Sequence, residues 1–327
     1  MKHAFLALLL TIPPISSADE QLRRDAAALF GRIEPAPSTS TPIVDLGRAL
    51  FWDVRLSQDG KTACASCHQA RDWGADRRRF SIDAKAMPTS RHSPTIFNAM
   101  SQPALRWLSD RKDGAAQAEG SLTGSMGFAT KEDGLKKLAE LDYLPAFRKA
   151  FPDEPEPMTA KNYGRALEAY QATLVTPAPF DRFLANDDKA LTPAQQTGLR
   201  NFIATGCAAC HNGKNFGGTS LQKFGVTKDY WLETGSEKPD VGRFAVTKKE
   251  EDKYVFRVPM LRNVSRTAPY FHDGSVDDLK RAVRIMADLQ LGKKLDDATV
   301  TSIVAFLDSL TGDVPSNYAP PGQKPDL

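Results

Sequence analysis

Where the spacing of apolar and polar positions along the chain is clear, it is helical. After Asp296, the residues Val300, Ile303, Val304, Leu307 and Leu310 recur at three- and four-residue steps, with Gly312 just beyond them. That is one apolar stripe on a helix begun at an acidic residue and closed by glycine. Thr192-Pro193-Ala194-Gln195 reads as a capping box with proline at the first helical position, opening a helix that runs toward Cys207. Thr130 caps a third helix carrying Leu135, Leu138 and Leu141, and a fourth runs from about Thr159 to Val175. Residues 213–257 are glycine-rich without a period, so a long irregular connection is expected there. Residues 248–253 (KKEEDK) read as a solvated loop, and the proline-rich tail from Pro315 as mobile or draped. The pattern predicts a mainly α protein with long irregular loops.

Thr176-Pro177-Ala178-Pro179 stops the fourth helix and marks the best domain boundary, dividing the chain into residues 19–177 and 178–327. Lys2, the apolar residues 4–12 and the small residues Ser16-Ser17-Ala18 read as a signal peptide over residues 1–18, with cleavage before Asp19. Its apolar core is too short to span a bilayer, and Pro13-Pro14 breaks any helix. Export to a periplasm is the expected route. Apolar residues make up 41% and charged residues 25%, which excludes wholesale disorder. No run approaches the ~20 apolar residues of a membrane span, so an integral membrane protein is not expected. A net charge of +3, with no basic stripe interleaved with aromatics, gives no reason to expect nucleic acid as a partner.

The cysteines narrow the chemistry. All four lie in two copies of one pattern, Cys64-Ala65-Ser66-Cys67-His68 and Cys207-Ala208-Ala209-Cys210-His211. C-x-x-C-H is the attachment signature of c-type haem. Two thiols one turn apart reach the two vinyl groups of one macrocycle, and the adjacent histidine points its imidazole at the iron. A redox dithiol needs no histidine after its second cysteine, and a zinc site built from both copies would leave the leader unexplained. Two covalently bound haem c groups are therefore expected, one per domain, in two cytochrome c-like halves. Beyond the leader the only histidines are His68, His92, His211 and His272. With two of them proximal ligands, a sixth ligand must come from His92, His272 or a methionine. At least one iron can thus stay open to a small molecule.

Both haem motifs, Arg91-His92-Ser93-Pro94-Thr95, Asp240-Val241-Gly242-Arg243-Phe244 and Val258-Pro259-Met260-Leu261-Arg262-Asn263-Val264 carry a family resemblance. So do Thr267-Ala268-Pro269-Tyr270-Phe271-His272-Asp273-Gly274 and the stretch Ile285-Met286-Ala287-Asp288. Across nearly its whole mature length the chain resembles the bacterial di-haem cytochrome c peroxidases and their MauG-type relatives. The resemblance implies that His211 and Met286 are the axial ligands of a high-potential, electron-accepting C-terminal haem. A thioether ligand favours ferrous iron, in agreement. From the residues alone, Met286 reads as a core methionine on a helix that also buries Val283 and Leu289, the usual fate of methionine. MauG-type proteins carry tyrosine there, so methionine sides with the peroxidases. The resemblance makes the haem held by His68 the peroxide site and puts Trp107 between the haems as an electron relay. On its own an indole there would simply pack. Gln117 matches a distal-pocket glutamine.

Three positions depart from the family. Its peroxidases carry a loop histidine that closes the resting N-terminal haem, and here that position is Ala84. A five-coordinate or water-ligated ferric haem, needing no reductive opening, is expected instead. The family's distal glutamate is Gly127 here, and glycine moves no proton. Glu119 is the nearest carboxylate in sequence, and with Gln117 or water it becomes the candidate acid–base group. Third, the family's inter-domain calcium is held by an asparagine and by carbonyls near the residues that match Thr267 and Pro269, but His92 replaces the asparagine. Calcium prefers oxygen, so His92 is read instead as a partner of a haem propionate or of the domain interface. The leading function is a periplasmic peroxidase that reduces hydrogen peroxide with electrons from a small cytochrome c or cupredoxin. A MauG-like oxidase acting on a partner protein, and a di-haem electron carrier or haem sensor, are the alternatives. Family members are often dimeric, so the resemblance also implies a homodimer.

Overall fold

The computed structural model describes residues 17–36 and 40–326, so the leader lies outside it apart from Ser17 and Ala18, which begin the first helix. The described residues are mainly helical, with one antiparallel strand pair, Leu221–Lys223 against Val255–Arg257, in the register Leu221 opposite Arg257. No described helix is long and apolar enough to cross a membrane.

All four expected helices start where their caps place them. The Thr192 side chain accepts from Gln195 N while Gln195 accepts from Thr192 N, opening the helix Pro193–Thr205. Thr130 caps Lys131–Glu140, where Leu138 is buried and Leu141 falls at the end. Thr159 caps Ala160–Ala172, which buries Tyr163, Leu167 and Tyr170. Asp296 caps Asp297–Asp308, burying Val300, Ile303 and Leu307. Gly312 does not close that helix. Its N–H donates to Asn263 and its carbonyl accepts from Trp73 Nε1, so it serves tertiary contacts instead.

Three hydrophobic clusters organise the described residues, the first including Leu50, Phe97, Tyr163 and Leu174, the second Phe180, Phe202, Phe216 and Phe306, and the third Trp107, Tyr230, Phe256 and Leu289. The first two are each closed by a helix crossing built on the same device. A Cβ on Gly47 of the helix Pro42–Trp52 would sit 1.9 Å from the Ala166 carbonyl oxygen, and one on Gly198 would sit 1.8 Å from that of Ser302. Backbone thus packs on backbone, and any side chain there would push the helices apart. Gly47→Ala is expected to destabilise the protein by ~1–3 kcal/mol or more, as overpacking does. Urea unfolding of the variant against the parent checks this.

The chain ends cross over. The helix Ser17–Leu29 buries Leu22 and Ala26 in the second cluster, and Phe30 stacks on Phe216 at 4.1 Å. The C-terminal tail instead returns to the first cluster. Tyr318 is fully buried there and donates to the His68 carbonyl, while Arg48 Nε holds the Ala319 carbonyl at 2.7 Å. The tail is therefore draped and pinned. The expectation of an irregular 213–257 segment needs correction, since it holds both strands and the short helices Tyr230–Thr234 and Phe244–Thr247. Elements this short contain too few residues to display a period. Residues 248–253 do form a turn whose acidic part, Glu250–Asp252, contains no buried residue.

Candidate functional site

The two cysteine motifs fold alike. The helix Pro193–Thr205 ends at Gly206, whose φ of 102° lets the chain turn at once into the short 3-10 segment Cys207–Ala209. Cys64–Ser66 forms the matching turn in the first half. Each following histidine has Nδ1 fixed by a backbone carbonyl, His68 by Gly74 at 2.8 Å and His211 by Phe216 at 3.0 Å. A donor bond at Nδ1 leaves Nε2 with its lone pair, the tautomer that ligates a metal. Burial pushes both imidazoles below the usual histidine range and so favours that neutral form. It also lifts the Cys64 thiol to about 12 and the Cys207 thiol to about 11, opposite to the lowered values of redox dithiols.

A cavity of about 220 Å³ opens beside the second motif, with Cys207, Cys210, His211 and Met286 on one wall-to-wall lining. Met286 is delivered by the helix Leu279–Leu291, started by Asp278 accepting from Arg281 N, with Ile285 and Leu289 in the core. Two thiols, one imidazole and one thioether facing a mostly apolar space form a donor set that fits a haem c. The first motif repeats the turn and the fixed histidine, and Cys64 packs against the first cluster.

Trp107 stands on the wall of the same cavity, 8% exposed. Its Nε1 donates to the His92 carbonyl at 2.8 Å, and His92 N donates to the His272 carbonyl at 2.8 Å. A few residues on, Ile96 N donates to the Gly74 carbonyl, the group that also fixes His68. One hydrogen-bonded segment therefore runs from the indole to the loop of the first motif. His92 Nδ1 donates to the Arg78 carbonyl at 3.2 Å. Thr267 and Pro269 lie on the cavity wall too. No cluster of three or more His, Cys, Asp or Glu that could hold a metal occurs among the described residues. Calcium prefers oxygen donors, and the His92 imidazole is bonded to the Arg78 carbonyl, so no step is assigned to that ion.

Gln117 and Glu119 are not on that cavity. Both belong to the helix Gly114–Ser121, capped by Asp113 and pressed against Ala160–Ala172, where a Cβ on Gly164 would sit 2.4 Å from the Ala115 carbonyl oxygen. Glu119 pairs with Lys131 at 2.5 Å on a partly exposed face. Two of the three family positions that are substituted here lie against each other. A Cβ on Gly127 would lie 3.1 Å from Ala84 Cβ, and Ala84 N donates to the Ser125 carbonyl at 2.9 Å. Gly127 has φ +83°, a conformation that strains any other L residue. Sequence reasoning did not single out Arg257, which lines the cavity, or the Tyr318 hydroxyl behind His68. Arg257 closes the short strand Val255–Arg257, and nothing in its local sequence marks it.

The family model described as di-haem cytochrome c peroxidase matches residues 41–189. Cytochrome c551 peroxidase of Pseudomonas aeruginosa is 44% identical over 324 residues, spanning 94% of this chain and 91% of that protein. Cytochrome c551 peroxidase of Nitrosomonas europaea is 38% identical, covering 88% of this chain and 85% of its own length. Among solved structures, a MauG-like protein associated with microbial copper homeostasis superposes with a TM-score of 0.76 at 26% identity, covering 89% of this chain and 96% of that one.

Proposed function

Since the chain belongs to the di-haem cytochrome c peroxidase family and is an oxidoreductase of that type, we propose that it works in the periplasm, reducing hydrogen peroxide to water with electrons from a small cytochrome c or cupredoxin. The observation that carries this reading is that Met286 and His211 line one cavity, a methionine where the resemblance gives MauG-type proteins a tyrosine. When bound, the two haem c groups supply one-electron iron chemistry at both sites and a peroxide-binding position at one of them.

The chain's own residues do the rest. Cys64 and Cys67, and Cys207 and Cys210, anchor the macrocycles, one in each cytochrome c-like half. His68 and His211 each present Nε2. Met286 supplies the thioether that keeps the second site high in potential. Trp107 bridges the halves and carries electrons toward the His68 side. Reduction of one peroxide consumes two electrons and two protons, and Glu119, assisted by Gln117 and water, handles the protons. The leader, residues 1–18, is removed, leaving Asp19 to pair with Arg200 at 3.0 Å.

Half-reduced protein supplied with a reduced small cytochrome c is expected to consume peroxide through many turnovers. No consumption would sink the peroxidase reading and leave either a MauG-like oxidase of a partner protein or a di-haem electron carrier or haem sensor. The alternative, a MauG-like oxidase of a partner protein, draws its support from Ala84, which puts no histidine on the gating loop. It predicts reaction of the fully ferric protein with peroxide but no cytochrome-driven turnover. In either enzyme the ferric protein is expected to show one high-spin and one low-spin haem by electron paramagnetic resonance. Two low-spin signals would contradict an open site at His68.

A further inference from the structure

The cavity beside the second haem motif carries a positive charge that the chain does not answer. Arg257, at the end of the strand Val255–Arg257, is 6% exposed and lines the space with His211 and Met286. Its Nε donates to the Arg106 carbonyl at 2.8 Å and its Nη1 to the Gln102 side-chain oxygen, both uncharged acceptors. Among the described residues Nη2 makes no hydrogen bond, and no carboxylate forms an ion pair with this guanidinium. Burial, with no acidic neighbour opposing it, pulls the group down to about 10. Arg262 shows what the fold does when it buries an arginine for structure alone. That side chain, 0% exposed, receives both oxygens of Asp181, at 2.7 and 2.8 Å.

A buried cation without a partner is costly, and such a group in a ligand cavity calls for an anion from the ligand. A haem brings two carboxylates of its own, the propionates. A second polar atom without a hydrogen bond lies on the same wall, His272 Nε2, with its nearest carboxylate oxygen at 3.9 Å.

We propose that Arg257 takes a propionate of the C-terminal haem through Nη2 and thereby ties that haem to the segment carrying Trp107. The tie follows from what else holds the residue. Arg257 N donates to the Trp107 carbonyl at 2.7 Å, and the side chain grips Arg106 and Gln102, so all three of its donated hydrogen bonds end on residues 102–107. Arg257 is then a positioning residue with two effects. It fixes the macrocycle's carboxylate edge relative to the indole, and it places positive charge where an added electron is stabilised.

The inference rests on a haem at Cys207 and Cys210, which covalent haem content decides independently. The test is spectroelectrochemical titration of holoprotein carrying Arg257→Gln, Arg257→Lys or Gln102→Glu. Arg257→Gln is expected to shift the reduction equilibrium of the C-terminal haem toward ferric by tenfold or more, 59 mV for one electron, with the N-terminal haem unmoved. Arg257→Lys restores most of the parent value. Gln102→Glu, which neutralises the cation without removing it, shifts the same haem in the same direction and decides the matter if Arg257→Gln fails to fold. An unmoved potential in protein holding both haems, or equal shifts at both haems, overturns the role of Arg257. A parent protein with no haem at the second motif overturns the haem reading itself.

Discussion

Replacing Met286 with histidine is expected to lower the midpoint potential of the C-terminal haem by a substantial part of the ~0.8 V that axial ligands span. A thioether is a weak donor that favours ferrous iron, whereas a second imidazole favours ferric. The position is well prepared for the exchange. Asp278 caps the helix Leu279–Leu291, Ile285 and Leu289 anchor it in the core, and residue 286 is turned toward the cavity that His211 shares. The register is held by Ile285 and Leu289 in the core, so a shift measured in protein that keeps both haems reports ligation. With its potential lowered, the site no longer draws electrons from a small cytochrome, and peroxide turnover falls with it. Redox titration followed at the haem absorption bands is the measurement. An unaltered midpoint in folded holoprotein would make Met286 a packing residue, the role methionine most often has.

The parts of this molecule legible in its sequence are those set by local chemistry. Thr192 and Gln195 cap each other whatever lies around them, and the helix they begin delivers Cys207 to its turn. The C-x-x-C-H pairs likewise encode their own chemistry. The helix Pro42–Trp52 has the same threonine–proline start as Pro193–Thr205, and its buried Leu46 and Leu50 could have announced it. Illegible were features made by distant segments meeting. Nothing in Tyr318 indicates that it reaches back to His68, and the first helix crosses to the far cluster through Leu22, Ala26 and Phe30. Arg257 has an ordinary sequence context, and the absence of an acid beside it exists only in three dimensions. Gly127 and Ala84 are two separate departures in sequence that become one contact when folded.

That contact bears on proton delivery, and Glu119→Gln is the variant that probes it, expected to reduce peroxide turnover by ~10²–10⁴, the usual worth of general acid–base help. Gly127 has no proton to move, and its φ of +83° and the 3.1 Å approach of Ala84 Cβ leave poor room for another side chain there. The chain running into this turn comes directly from the helix that bears Glu119. Gly124 N bonds Gly120 O, Met126 N bonds Ser121 O and Phe128 N bonds Leu122 O, so helix Gly114–Ser121 and the Gly127 turn are one hydrogen-bonded unit. Lys131, at the start of the next helix, holds the Glu119 carboxylate at 2.5 Å and closes that unit. A carboxylate with one oxygen on a lysine keeps the other for a water. Were the ion pair only structural, Lys131→Met and Glu119→Gln would each cost stability by ~0–1 kcal/mol and leave turnover alone, as partly exposed pairs do. The proton role instead requires Glu119→Gln to lower the rate at saturating donor while both haems stay attached and the C-terminal potential is unmoved. Unchanged turnover in that variant would remove Glu119 from the mechanism and pass the proton to Gln117 and bound water.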